Sequence, residues 1–387
     1  MKPKQDTLIV TAGRHPDAHF GVVNPPVYHA STILFPTVEA MKTRSQPYTY
    51  ARRGTPTLAA LEEAIAALEG GAKTVLTPSG LSAVSTALMA FLKAGDHLLM
   101  ADSVYGPSRH FCDTILKRNG VEVEYYDPEI GAGLAKHMKT NTKTVFAESP
   151  GSISFEMQDI PALAKVAHEG GAKLIVDNTW ASPLYFKPFE HGADVSIQAV
   201  TKYLGGHSDV MMGAITATEE SGKTVLATHG ALGMTVAPDD VFLVLRGMRT
   251  LSVRLERHMK TGIALARWFA GRPEVARVLH PALPTDPGHE LWKRDFTGAS
   301  GLFSIVLKPC PDAAVAAMLD HLEYFGMGWS WGGFESLIVP QDLHGIRTAT
   351  PATFEGPILR IHAGLEDPTD LIADLEAGFA RFNAARG

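Results

Sequence analysis

"KLIVDNTWASPLYFKPFEHGADVSIQAVTKYLGGHSD" (residues 173–209) contains two short apolar runs, and each leads to a charged side chain. "KLIVD" stops on Asp177, and "DVSIQAV" runs through Thr201 to Lys202, just ahead of Gly205 and Gly206. Runs this apolar read as strands buried on both faces, which is the habit of parallel sheets covered by helices. A carboxylate at such a strand end costs several kcal/mol, on the scale of a desolvated ion, unless a cation or hydrogen-bond donors meet it. An amine one strand further on is either a charge escaping to solvent or a group kept from protonation because it reacts. Taken together, Asp177 and Lys202 favour the reactive amine.

The same pattern repeats outward from this stretch. "KTVLT", "HLLMA", "VEVEYY", "KTVFAE" and "GAITAT" are further short apolar runs alternating with helix-like segments. With the first two runs they predict an α/β fold with a mainly parallel seven-stranded sheet. "TPTLAALEEAIAALEGG" (55–71) reads as a helix, with a capping threonine, Leu58, Leu61, Ile65 and Leu68 on one face, and a Gly-Gly stop. The residues before it have no lasting periodicity and read as an extended arm. Beyond Leu251 a long helical stretch, strands near "LFSIVLK" and "ILRIHA", and a final helix predict a second, smaller α/β unit. The division expected is an arm over 1–54, a large domain over 55–250 and a smaller domain over 251–387.

Composition narrows the class. Of 387 residues 45% are hydrophobic and 20% charged, which is ordinary for a globular protein. A formal charge of −6, with no basic block, argues against nucleic acid or an anionic membrane as partner. Neither the opening "MKPKQDTLIVTAGRHPDAHF" nor any later window is apolar enough for a signal peptide or a bilayer span, so a cytoplasmic location is expected. Cys112 and Cys310 form neither a disulfide framework nor a zinc site and read as buried thiols.

Ligands of parallel sheets bind beyond the carboxyl ends of the strands. There "LTPSGLSA" (76–83) puts Ser79 and Gly80 where a strand turns into a helix, a place for phosphate. Tyr105 follows "HLLMA" and offers a ring to a planar ligand. An anion cradle, an aromatic face, a carboxylate and an amine are together what pyridoxal 5′-phosphate requires. Rival patterns fail. "GAGLAK" (131–136) lacks the third glycine of a dinucleotide loop and a strand before it, and Gly80-Leu-Ser-Ala-Val lacks the last glycine of a nucleophile elbow. No H-E-x-x-H is present, and His207 beside the glycine pair reads as structural.

With these residues assembled, the chain resembles the Cys/Met-metabolism family of fold type I pyridoxal-phosphate enzymes, whose large domain is aspartate-aminotransferase-like, from about residue 10 to the C-terminus. The resemblance implies that Lys202 is the Schiff-base lysine and Asp177 the partner of the ring nitrogen. It implies Gly80, Leu81 and Thr201 as phosphate donors and Tyr105 as the stacking tyrosine. In "YTYARRGTPT", Tyr50 and Arg52 match residues the family lends to a neighbouring subunit, with Tyr50 joining Tyr105 and Lys202 among the catalytic groups. In "ILRIHAGLED", Arg360 matches the binder of the substrate carboxylate.

The segments "SWGGFESL" (330–337) and "ESPGSISFE" (148–156) look like those of members that eliminate at the β-carbon. They place Ser330 and Trp331 beside the substrate, whereas γ-carbon members usually carry Ser-Leu-Gly-Gly there and an asparagine after "ESP". Many relatives also have serine where this chain has Ala199, so one phosphate hydrogen bond is lost or replaced. The implied activity is β-elimination of L-cystathionine to homocysteine, pyruvate and ammonia, a step of methionine biosynthesis, by a homotetramer built from active dimers. The other readings are a γ-lyase or γ-synthase, or a sulfhydrylase using an acylated homoserine, and a non-catalytic protein that keeps the fold.

Overall fold

The computed structural model describes residues 3–351 and 354–386. Seven strands, β1 (Lys73–Thr77), β2 (His97–Ala101), β3 (Glu122–Tyr126), β4 (Thr142–Glu148), β5 (Lys173–Asp177), β6 (Val195–Gln198) and β7 (Gly213–Ala217), fall on the seven runs named above. They form one sheet in the order β1-β7-β6-β5-β4-β2-β3. β7 runs against both of its neighbours, and the other pairings are parallel. Every residue of β2, β6 and β7 is buried, as strands sandwiched between helices must be.

The helix Pro56–Glu69 shows how directly local sequence sets local structure. The Thr55 hydroxyl accepts the Leu58 N–H at 3.4 Å, proline fills the first turn, and Gly70 closes the helix at φ 82°. Leu61, Ile65 and Leu68 are fully buried on the face expected.

The first fifty residues are less arm-like than their pattern suggests. Gln5–Thr11 is a short helix whose Ile9 and following Ala12 join the core around Leu58, Leu61 and Ile65. Arg249 donates to the Ile9 and Ala12 carbonyls at 2.7 and 3.0 Å, closing helix-end groups that the short sequence cannot. Beyond it the chain exposes large apolar side chains, among them Phe20, Leu34 and Val38.

A second sheet has four antiparallel strands in the order β10-β11-β9-β8: β8 (Val275–Leu279), β9 (Leu302–Leu307), β10 (Leu337–Gln341) and β11 (Ile358–His362). β9 and β11, the central pair, were the two legible in sequence. The edge strands were not, because β8 is half exposed and β10 carries Pro340, which a central strand would exclude. The helices Leu251–Ala270, Asp312–Leu319 and Pro368–Arg386 pack on this sheet. Cys112 is buried as expected, but Cys310 is only half-buried, and both thiols are free. Among the described residues no helix is long and apolar enough to cross a membrane.

Candidate active site

The carboxyl ends of β4, β5 and β6 gather the chemistry. Asp177 ends β5, and its Oδ1 accepts the Thr179 N–H at 3.0 Å and the Thr179 hydroxyl at 2.5 Å. Burial raises its pKa and the Thr179 bonds work against that rise; the charge of Lys202 also lowers it. Glu148 ends β4 directly opposite, since the register pairs Glu148 with Asp177.

Lys202 lies in the turn after β6. Its Nζ donates to the Ser330 hydroxyl at 2.6 Å and stands 5.1 Å from the centre of the Trp331 ring. Burial, and then the Arg360 guanidinium, bring its pKa down to about 8, while Asp177 acts in the opposite direction. Arg360, at the centre of β11, donates to the Ser330 carbonyl at 3.1 Å. Ser330 therefore joins the lysine of one sheet to the arginine of the other. Its φ of 85° is the left-handed region, a strained conformation of the kind that collects at functional sites. Two residues on, Gly332 sits at φ 90°, and a Cβ there would stand 3.0 Å from the Lys202 Cα, so both the backbone conformation and the close approach favour glycine.

Ser79 caps the helix Gly80–Phe91, exchanging hydrogen bonds with Ser82, so the Ser82 hydroxyl is a cap and not a nucleophile. The first N–H groups of this helix, at Gly80 and Leu81, have no carbonyl of the helix itself to bond. A Cβ at Gly80 would fall 2.7 Å from that of Ala199, so the alanine closes one wall of this cradle. The Thr201 hydroxyl donates to the Met212 carbonyl at 3.2 Å and accepts the Met212 N–H at 3.0 Å. Tyr105 is 46% exposed, which excludes a packed core ring, and its N–H is held by Glu148 at 2.7 Å.

Two predicted site residues stand apart. Arg52 donates to the Gly230 carbonyl at 3.0 Å and lies over the Tyr50 ring, and within the chain neither bonds to Lys202, Asp177 or Arg360. Within the chain, burial and Arg360 are what depress Lys202. His207 bonds the Gly205 carbonyl at 2.8 Å, a structural role as expected.

Sequence reasoning missed Glu148 and the Asp102 crossing. The buried Asp102 carboxylate accepts the N–H groups of Thr348, Ala349 and Thr350 at 3.0, 2.8 and 2.9 Å and pairs with Arg109. This ties the segment between β10 and β11 to the turn that carries Tyr105. Glu148 had a signal, since it ends an apolar run as Asp177 does; three successive N–H donors converging on Asp102 had none.

A buried carboxylate at the end of β5, an amine of depressed basicity after β6 and a capped helix start after β1 suit the ring nitrogen, aldehyde and phosphate of pyridoxal phosphate. The class so defined is the fold type I pyridoxal-phosphate enzymes. Within it, the model of the Cys/Met metabolism PLP-dependent enzymes matches residues 6–380, and the chain belongs to that family. A relative in Rhizobium johnstonii is 55% identical over 98% of this chain and 96% of its own length. A cystathionine beta-lyase of Escherichia coli (strain K12) is 46% identical over 98% of each chain. The crystal structure of a cystathionine gamma synthase from Xanthomonas oryzae pv. oryzae, in complex with cystathionine, superposes with a TM-score of 0.93 at 35% identity over 100% of each chain.

Proposed function

We propose that the chain is a carbon–sulfur lyase that cleaves the Cβ–S bond of L-cystathionine, releasing homocysteine, pyruvate and ammonia. The observation that carries this reading is Lys202: an amine buried beside Arg360, pointed by the Ser330 hydroxyl and faced by Trp331. In this reading Lys202 holds the cofactor aldehyde, Asp177 its ring nitrogen, Tyr105 its face, and Gly80, Leu81 and, once its hydroxyl turns from the Met212 carbonyl, Thr201 its phosphate. Bound there, pyridoxal phosphate supplies an electron sink for the pair left when Cα loses its proton.

The chain supplies the rest. Arg360 presents a planar fork that suits the substrate carboxylate bidentately, which turns the Cα–H bond toward Lys202. A freed amine of pKa about 8 has a neutral fraction at pH 7 roughly two hundredfold larger than an ordinary lysine, so Nζ is available as general base. For Ser330 to hold that amine it must turn its hydroxyl acceptor inward, which its left-handed backbone allows. In this reading Trp331, whose ring faces Lys202, narrows the cleft and disfavours the pose from which γ-elimination would take a second proton from Cβ.

Tyr50 and Arg52 complete the phosphate site only when given by a neighbouring subunit, so the working unit is at least a dimer, with a tetramer of two such dimers and a cytoplasmic location as the fuller proposal. Their separation from Lys202 within the chain and the exposed apolar side chains of residues 20–41 support it. The proposal keeps the division into an arm, 1–54, a cofactor domain, 55–250, and a carboxylate-binding domain, 251–387; the separation of the strands into two sheets supports the last two.

The test is to supply L-cystathionine and identify the oxoacid. Pyruvate is expected; 2-oxobutyrate would replace this reading with γ-cleavage. Lys202→Ala should lose at least about a thousandfold in turnover. Mixing Lys202→Ala with Arg52→Ala subunits should restore up to about a quarter of wild-type activity through hybrids with one intact site, and no recovery would refute the shared site.

A further inference from the structure

Glu148 closes β4 as Asp177 closes β5, and the parallel register sets the two carboxyl groups side by side. Glu148 Oε2 accepts the Tyr105 N–H at 2.7 Å, and Oε1 accepts the Ser152 hydroxyl at 2.5 Å. The titratable groups facing it are Asp177 on β5 and the Tyr105 phenol on the turn after β2, with Arg360 beyond that phenol. Among the described residues no lysine, arginine or histidine forms an ion pair with Glu148 or offsets its charge. Adjacent buried carboxyls do not both ionise at neutral pH. Asp177 has two Thr179 donors on one oxygen and the charge of Lys202 in its favour, whereas Glu148 faces only a hydroxyl, able to accept as well as donate, and one peptide N–H.

We infer that Glu148 is a positioning residue: it keeps the proton of the Glu148–Asp177 pair, leaving the charge on Asp177, and through the Tyr105 N–H it fixes the turn that presents the Tyr105 ring. This rests on the proposed function only in giving Tyr105 the cofactor's face. Burial and the neighbouring Asp177 raise the Glu148 pKa from 4.5 to about 8, in accord with the geometry. The sign follows: the folded chain binds one proton more than the unfolded chain between those values, so stability falls as pH rises through that window. Glu62 and Glu69, both raised to about 7 by burial, add to the same trend, so only the difference between wild type and a Glu148 variant isolates this group.

The experiment uses cofactor-free protein for two readouts and pyridoxal phosphate alone for the third. At neutral pH the protonated-carboxyl infrared band of wild type should be larger than that of Glu148→Gln by one carboxyl, the contributions of Glu62 and Glu69 being common to both. The wild-type melting temperature should fall more steeply from pH 5 to pH 8 than that of Glu148→Gln. Glu148→Gln keeps an acceptor for the Tyr105 N–H and should hold the cofactor dissociation constant within about threefold, whereas Glu148→Ala should weaken it roughly tenfold. No difference in the band, parallel melting curves, or equal loss in the two variants would each overturn the inference. If Glu148→Ala does not fold, the glutamine variant and Glu148→Asp, expected to fall between the two, decide it. None of the readouts uses cystathionine, so a failed oxoacid assay and a failed Glu148 assignment are separately visible.

Discussion

The two ends of the seven-stranded sheet carry the same residue types and treat them oppositely. At the amino end, Glu122 and Glu124 of β3 meet Lys139 at 2.8 and 2.6 Å, and Glu124 also meets His137 at 2.7 Å. Burial alone would raise the Glu124 pKa, but bonds from Lys139 and His137 bring it below the usual range; Lys139 is raised in return, by its bonds to Glu122 and Glu124. At the carboxyl end Glu148 and Asp177 are raised by burial, and Lys202 is lowered. Charges meant only to be held are paired in partly wet surroundings, where each pair adds little. Charges meant to act are desolvated and left short of partners, which is the usual mark of a working site.

The strongest way to break this contrast is Asp177→Asn. Removing that carboxylate should lower turnover at least about a hundredfold while leaving the fold in place, because a neutral amide is cheaper to bury than the charge it replaces. Turnover near wild type would mean that the carboxyl end is no more functional than the amino end. Measurement of kcat together with circular dichroism separates the two outcomes.

A smaller effect is expected at Trp331→Leu. Removing the indole that faces Lys202 should raise 2-oxobutyrate relative to pyruvate from cystathionine, by roughly tenfold for about 1.4 kcal/mol of lost discrimination. An unchanged product ratio would remove Trp331 from the account of specificity.

Smallest is Glu124→Gln, at the paired end. It should leave turnover unchanged and lower stability at pH 7 by less than about 1 kcal/mol. Because the folded pKa of Glu124 is depressed, its contribution is present above the unfolded value and disappears as pH falls through the folded one. Urea titrations of wild type and variant should therefore converge in acid; a gap that persists there would deny the ion-pair reading.

Much of the site was legible because its groups interrupt patterns. Asp177 and Lys202 end or follow apolar runs where a charge needs a reason, and Tyr105 follows another. Arg360, Ser330 and Trp331 were reached only through resemblance, since an arginine within a strand and a Ser-Trp-Gly-Gly turn mean little alone. Glu148 was passed over because an acid after "KTVFA" reads equally well as a solvated strand end. The edge strands β8 and β10 were lost to exposure and to Pro340.

The sequence by itself determined which segments become strands and helices of the large sheet, where the helix Pro56–Glu69 starts and stops, and that a carboxylate and an amine leave neighbouring strands. These depend on periodicity, capping and turn residues, whose energetics are settled within a few residues of chain. Only the tertiary structure decided that β7 reverses between β1 and β6, that Glu148 stands beside Asp177, and that Ser330, in the loop before β10, links Lys202 to Arg360 of β11. Those are matters of register and of loops far apart in sequence, fixed by how buried surfaces fit together and not by any local preference.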